Sequence, residues 1–294
     1  MRAIGKDQAG YVVLAVLMVL GLWGCSKRHE ADAMETSSQT RIVSLAPNLT
    51  EILFALGLED EIVGVTRHCN YPPSARQKRQ VGTFWQPDIE AVLAQRPTLV
   101  VTLGFEQQRQ VALRLERIGC ATLTLEIDTV DQLYESILTL GRALARNEQA
   151  QALVARLSDA QRQWRQRKPA VSPPKVLWVV QREPLRVAGT KTFINELVKT
   201  VGGVNAIGPT LHFYPPISAE QVLAAQPDVI IEPTDEPAHL DDQRRLAEGF
   251  YAAYRSVPAV RNGRIYIVDG DVVSRLGPRL DEALEHIARC VWQE

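Results

Sequence analysis

The chain lacks an apolar run long enough to cross a bilayer. Its longest, residues 11–22 (YVVLAVLMVLGL), stops short of the ~20 residues a spanning helix needs. Charge of one sign is lacking as well: 33 Lys and Arg face 34 Asp and Glu, a formal net charge of −1. No basic run dominates, which argues against a nucleic-acid partner. Two common catalytic signatures, a Gly-x-Ser-x-Gly elbow and a His-Glu-x-x-His helix, are missing. Histidine is scarce. The 5 present, with His29 in a polar stretch, leave too few for the roughly three or four converging ligands of a bare metal-ion carrier. Cysteine is scarce and awkwardly numbered. Beyond Cys25 stand Cys69, Cys120 and Cys290, which cannot all pair within one chain. Cys69 follows a predicted strand (62–65) and Cys120 precedes another (121–125). In a parallel sheet those are opposite ends, so no bridge is expected between them.

The first residues read as a targeting segment. Arg2 and Lys6 open it, the short apolar run follows, and Leu22-Trp23-Gly24-Cys25 closes it. A small residue before cysteine, directly after the apolar core, resembles the lipobox of bacterial lipoproteins. That resemblance implies cleavage after residue 24 and lipidation of Cys25, a tether without a transmembrane helix. Residues 26–40 (SKRHEADAMETSSQT) are polar and read as a flexible spacer.

What is present is a repeat. Residues 89–101 (IEAVLAQRPTLVV) return as residues 219–231 (AEQVLAAQPDVII), with Glu, Val, Leu, Ala and Pro at the same steps. Each copy reads as a short helix, a proline stop and a buried strand. A spacing of about 130 residues is far beyond the ~20–50 of a solenoid and points to two similar lobes. Two lobes imply a cleft, and clefts at domain interfaces hold small molecules.

The rest of the chain agrees. Strands are predicted at 41–45, 62–65, 98–102 and 121–125, with helices starting near Asn48 or Thr50 (ended by Gly57), at 90–95 and at 109–118. This alternation predicts a doubly wound α/β lobe over 41–129. Residues 130–172 carry no strand signal. Leu153, Val154, Leu157, Ala160 and Trp164 share one helical face, predicting a single long bridging helix with little hinge freedom. A second α/β lobe is predicted over 173–294, with strands at 175–180, 229–231 and 264–268 and helices at 193–201 and 279–292.

The residues 41–52 (RIVSLAPNLTEI), 63–65 (VGV), 70–73 (NYPP) and 274–279 (SRLGPR), with the two repeat copies, resemble the helical-backbone substrate-binding proteins of bacterial ABC importers. Within them they resemble the cobalamin-binding branch. The resemblance covers roughly 41–292. It implies capture of cobalamin or a related corrinoid between the lobes and delivery to an ABC permease with its ATPase subunits. It also implies a protein of the cell envelope that is not an enzyme. Haem or a ferric siderophore is the alternative ligand, with Arg67, Arg182 and Arg275 available to an anionic chelate. An envelope hydrolase pairing His68 or His212 with Asp235 or Asp271 is the alternative of a different kind.

Residue roles follow from the same resemblance. Glu90 and Glu220 match the glutamates that meet permease arginines, although each is also a first-turn glutamate favoured by a helix dipole. Loops at the carboxyl ends of strands should hold the ligand. They carry His68 and Tyr71, then Phe84 and Trp85, then Gln181, Tyr214, Asp271 and Arg275. His68 stands where the branch has tyrosine and can act as a rim contact or as an axial ligand to cobalt or iron. Cys69 is expected to be a buried thiol. Phe213 is expected to pack in the core or between lobes. Cys290 matches a cysteine that is bridged in that branch, but Val201 stands where its partner would be. A free thiol is therefore expected.

Overall fold

A computed structural model describes residues 40–167 and 172–292. The targeting segment, Cys25 and residues 26–39 of the polar spacer lie outside these residues. Among the described residues no helix is long and apolar enough to cross a membrane.

The first lobe is built from β1 (Ile42–Ser44), α1 (Pro47–Ala55), β2 (Ile62–Val65), α2 (Ile89–Ala94), β3 (Leu99–Leu103), α3 (Glu106–Arg117) and β4 (Thr122–Leu125). Its four strands are parallel in the order β2-β1-β3-β4. Both sheet faces are covered, as parallel sheets require. Ile42 and Val101 join one apolar cluster while Val43 and Val100 join another.

Helix α1 shows why local reading gets close but not all the way. Its stop is as expected: Gly57 sits at φ 73, its N–H bonds Phe54 O, and Leu58 N–H bonds Leu53 O. That is a Schellman ending. Its start is different. Pro47, with φ set in advance, opens the helix after Ala46, and no side chain caps it. Asn48 and Thr50 are inside the first turn instead. Asn48 Nδ2 donates to Leu276 O at 3.1 Å, and Thr50 Oγ1 donates to Ala46 O at 3.1 Å.

The bridging segment is two helices rather than one. Helix α4 (Val130–Ala143) opens on a Thr129–Gln132 capping box and breaks where Ala145 turns to φ 52. Helix α5 (Asn147–Gln166) then carries the apolar face read from the sequence, with Leu153 and Leu157 buried. Only α5 leads into the second lobe.

That lobe comprises β5 (Lys175–Gln181), β6 (Arg186–Val187), α6 (Phe193–Thr200), β7 (Val204–Asn205), α7 (Ala219–Ala225), β8 (Val229–Thr234), α8 (Leu240–Tyr251), α9 (Pro258–Arg261), β9 (Ile265–Asp269), α10 (Gly270–Val273) and α11 (Leu280–Trp292). Strands β7, β5, β8 and β9 are parallel and repeat the winding of the first sheet, with β6 added antiparallel to β5. Helix α8 carried no repeat signal and was not expected. The largest apolar cluster runs through both lobes, taking in Ile42 and Val101 of one sheet, Leu153 and Leu157 of α5, and Val176 and Ile231 of the other. A shared core resists hinge opening more than a linker alone would.

The two repeat copies fold alike. Helices α2 and α7 both end on a non-glycine residue in the left-handed region, Arg96 at φ 48 and Gln226 at φ 46, and both are followed by proline. Each strand that follows pairs with the first strand of its lobe.

Cys69, Cys120 and Cys290 are free thiols. Cys69 is 3% exposed and its Sγ accepts from Thr50 Oγ1 at 3.1 Å. Burial pushes its thiol up, and pushes that of Cys290 up to about 12.

Candidate functional site: a cleft between the sheets

Two cavities of about 930 and 360 Å³ meet at the carboxyl ends of the strands. They share Trp85, Phe193, Asp235 and Ser274, so they form one continuous cleft. Residues of both lobes line it.

The first lobe supplies an aromatic wall. Phe84 and Trp85 meet edge to face at 4.7 Å between centroids, and Phe105 lies 5.2 Å from Phe84 and 5.7 Å from Trp85. Such tilted pairs are the favoured geometry of aromatic quadrupoles. Trp85 is 62% exposed, a large apolar ring left facing the cleft. Its loop is held from beneath by Gln108, which is fully buried at the start of α3. Gln108 Nε2 donates to Leu45 O at 2.8 Å and to Phe84 O at 3.1 Å, while its Oε1 accepts from Leu103 N–H at 2.8 Å. Gly82, at φ 98, lets the loop turn; a Cβ there would meet Asp88 N at 2.5 Å.

His68 lines the smaller cavity, and its Nδ1 accepts from Phe84 N–H at 3.2 Å. In the neutral imidazole an accepting Nδ1 leaves the proton on Nε2. The ring therefore offers the cleft an N–H donor. A metal-ligating histidine is held the other way, with its second nitrogen donating. The arrangement supports the rim-contact reading and weighs against axial ligation.

The second lobe supplies polar groups. Gln181, Arg182, Tyr214, Glu232, Asp235 and Glu236 line the larger cavity. Arg182 Nε lies 2.8 Å from Glu232 Oε1, a charge contact rather than a well-aligned hydrogen bond. Tyr251 donates to the other oxygen of Glu232 at 3.2 Å. Burial and then the charge of Asp128 raise the Tyr214 phenol above its ordinary value, so it stays a neutral donor.

Asp271 and Arg275 line the smaller cavity and also join the lobes. Arg275 pairs with Asp271, donates to Asn70 Oδ1 at 2.6 Å, and approaches Glu51 at 3.7 Å. Asn70 in turn donates to Asp271. Glu51 on α1 accepts from Arg279 in a fork at 2.7 and 2.8 Å. Burial raises the Glu51 carboxyl, with Arg279 opposing the rise. The result is a polar clasp between the first lobe and residues 271–279.

Three expectations need correction. Tyr71 lines neither cavity; its ring carries the Arg279 guanidinium at 4.1 Å, on the far side of the clasp. Phe213 is 55% exposed rather than packed between lobes. His212 and Arg67 are also exposed and line neither cavity, so they join neither a hydrolytic pair nor an arginine cluster at the cleft. Lining residues that were not singled out as ligand contacts include Trp178, Phe193, Glu232, Asp235 and Glu236. The last three follow the strand of the second repeat copy, so position relative to the repeat was the available signal.

Glu90 and Glu220 occupy the second position of α2 and α7, and both are exposed. Asp88 caps α2 and Ser218 caps α7. Neither glutamate is ion-paired among the described residues. Hydrogen bonds from Ser218 and from its own backbone N–H hold Glu220 below the usual carboxylate value.

A family model described as periplasmic binding protein matches residues 42–272, which takes in both sheets and the cleft. The chain belongs to the periplasmic binding protein family. Among named relatives of this periplasmic binding protein, the vitamin B12-binding protein of Vibrio cholerae is 28% identical over 253 residues, covering 84% of this chain and 87% of the relative. An uncharacterized ABC transporter substrate-binding lipoprotein of Bacillus subtilis is 27% identical over 261 residues, 86% of this chain and 80% of that one. Among solved structures, the periplasmic vitamin B12-binding protein of Vibrio cholerae superimposes with a TM-score of 0.70 at 26% identity, covering 85% of this chain and 96% of that one. A periplasmic haem-binding protein from Pseudomonas aeruginosa gives 0.73 at 26% identity, over 87% and 93%. The two-lobed α/β architecture is that of this family.

Proposed function

We propose that this periplasmic binding protein is the lipid-anchored, solute-binding component of an ABC importer for cobalamin or a related corrinoid. Residues 1–24 act as the leader, Cys25 as the lipidated end, 25–40 as the tether, 41–129 and 173–294 as the lobes, and 130–172 as the bridge. His68, Phe84, Trp85, Gln181, Tyr214, Asp271 and Arg275 contact the ligand. Glu90 and Glu220 meet cationic pockets on the permease, fixing orientation and speeding encounter. The protein then works in the bacterial envelope, held to a membrane by lipid.

The observation that carries the reading is the cleft's charge balance. Glu232, Asp235, Glu236 and Asp271 line it against Arg182 and Arg275, and each guanidinium already faces a carboxylate. A ligand rimmed by carboxamides, such as a corrin, can donate N–H groups to these oxygens. A ligand carrying propionates or catecholates would bring anions to a lining whose two guanidinium groups, among the described residues, already face carboxylates. The aromatic wall suits a flat macrocycle of either kind. The likeness in sequence and in structure to a protein named for vitamin B12 supports the corrin.

Haem is the second reading, favoured by the aromatic wall and by the haem-binding structural relative. The two are separated by titrating the full chain, in detergent, with cyanocobalamin and with haemin. Saturable one-to-one binding of cyanocobalamin, with haemin bound weakly and without an axial-ligand shift, is the expected result. Tight haemin binding with a histidine-type Soret band, and no cobalamin binding, refutes the proposal.

A further inference from the structure

A lone exposed leucine on a protein surface needs no explanation. A pair at the same step of a structural repeat does. Leu93 on α2 is 38% exposed and Leu223 on α7 is 39% exposed. Each stands three residues after the exposed glutamate and is followed by an exposed alanine, Ala94 or Ala224. On a helix, positions i, i+3 and i+4 share one face. Both helices thus turn the same three side chains outward: Glu90, Leu93 and Ala94 on one, Glu220, Leu223 and Ala224 on the other. The inward residue is the same too, with Val92 and Val222 both fully buried. Two short surface helices with a solvated face would be expected to carry polar residues there.

We propose that Leu93 and Leu223 are the apolar anchors of the docking face, each seated beside its glutamate in one of two equivalent recesses on the transmembrane permease. Each recess presents a guanidinium or ammonium to the carboxylate and an apolar floor to the leucine. The small Ala94 and Ala224 leave room for the partner's backbone to come close. The occupant is identified by complementarity: two carboxylates that are not ion-paired among the described residues call for two cations, and two matched leucines call for two matched apolar floors. The inference rests on the docking role proposed above for Glu90 and Glu220 and extends it. The roles divide physically. Exposed carboxylates act at a distance, raise the encounter rate and are weakened by salt. Leucines act only on contact, lengthen the life of the complex and are insensitive to salt.

The test places the photo-crosslinking residue p-benzoylphenylalanine, one position at a time, at 90, 93, 220 and 223 of the full chain in its native host. Ile118, 56% exposed near the end of α3, serves as the control position. Crosslinking from 93 and from 223 to a transmembrane ABC permease subunit identified by mass spectrometry, with none from 118, is expected. Crosslinking from 90 and 220 but not from 93 and 223 overturns the leucine inference and leaves the docking glutamates standing. No crosslink from any of the four overturns both. A second measurement uses the purified complex with that subunit. The double variant Leu93→Ser, Leu223→Ser should shorten its half-life about tenfold at low and high salt alike, with cyanocobalamin affinity unchanged. An unchanged half-life overturns the inference.

Discussion

Trp85→Ala should weaken cyanocobalamin binding about 30-fold while leaving the fold intact. The magnitude comes from the exposed ring. A buried tryptophan removes up to roughly 250 Å² from water. Trp85 keeps 62% of its surface exposed, so a ligand in the cleft can cover at most roughly 155 Å² of it. At about 25 cal/mol per Å² the ceiling is near 4 kcal/mol. A planar macrocycle meets one face of the ring, which halves the figure to about 2 kcal/mol, or about 30-fold. Because that surface is already solvated without ligand, thermal stability should move little. The assay is isothermal titration of the full chain, with a thermal melt as control. Trp85→Phe should recover most of the loss, since the stack with Phe84 and Phe105 accepts a smaller ring. Phe213→Ala, at a ring also exposed but lining neither cavity, should change nothing. Trp85→Ala with unaltered affinity and an unaltered melt would refute the placement of the ligand against the aromatic wall.

Charge reversal at Glu90 and Glu220 together should abolish cyanocobalamin uptake by cells and leave its affinity for the purified protein unchanged; loss of affinity would place both residues in the ligand site instead. Gln108→Leu should cost roughly 2–4 kcal/mol in urea unfolding, because Leu45 O, Phe84 O and Leu103 N–H lose their buried partner, and should also weaken ligand binding by freeing the Phe84 loop. Among the described thiols Cys120, the least buried, should react first with a disulfide reagent in the native protein, with Cys69 and Cys290 reacting only on unfolding. Cys290 also predicts alkaline lability. Its folded thiol, raised to about 12 from an ordinary 9.0, binds a proton more tightly than the unfolded one. The associated stability is fully present below about pH 8.5 and is lost as pH climbs toward 12, roughly 4 kcal/mol in all. Cys290→Ala should flatten that part of the pH dependence of the urea midpoint, and an equally steep curve in the variant would rule the thiol out as its source.

Much of the fold was legible because the signals were local and periodic. Strands β1, β3, β5 and β8 are apolar runs between turn residues, and α5 carries its buried face at plain helical spacing. The features that escaped depend on the tertiary structure. Helix α1 starts at Pro47, and Asn48, instead of capping it, donates across to Leu276. The break at Ala145 leaves no mark in composition, since alanine favours helix and only its φ of 52 records the turn. At the site, loops near strand ends bring Phe84, Trp85, Gln181 and Tyr214 to one cleft, on one wall or its facing side. Tyr71 was misplaced because a loop position says which sheet edge a residue is near and not which way its ring turns. Here Arg279 takes the ring. Gln108 was invisible for the reverse reason: it lies on a helix, away from any loop, and acts only through three backbone groups far apart in sequence.

The repeat divides the molecule's work in a way that has a physical cause. Both copies force a non-glycine residue into the left-handed region at the helix end, Arg96 and Gln226, a strain of about 1 kcal/mol each. The proline that follows bars the helix from continuing, so the tight turn is the only route into the strand. Helix, turn and strand are thereby locked as one unit, and the outward face of α2 is copied in α7 down to Glu, Leu and Ala. Sameness suits a partner that offers two equal recesses. The strand ends escape this constraint, because a residue beyond the carboxyl end faces the cleft rather than the helix, turn and strand of the repeat. There the copies diverge: Leu103 lines the cleft on one side, whereas Glu232, Asp235 and Glu236 line it on the other. A ligand with a flat apolar face and a polar edge needs that difference. The shared core through α5 and the clasp at Glu51, Asn70 and Arg275 hold the two unlike walls in register. Recognition therefore relies on a cleft shaped before the ligand arrives, and little lobe movement should accompany binding.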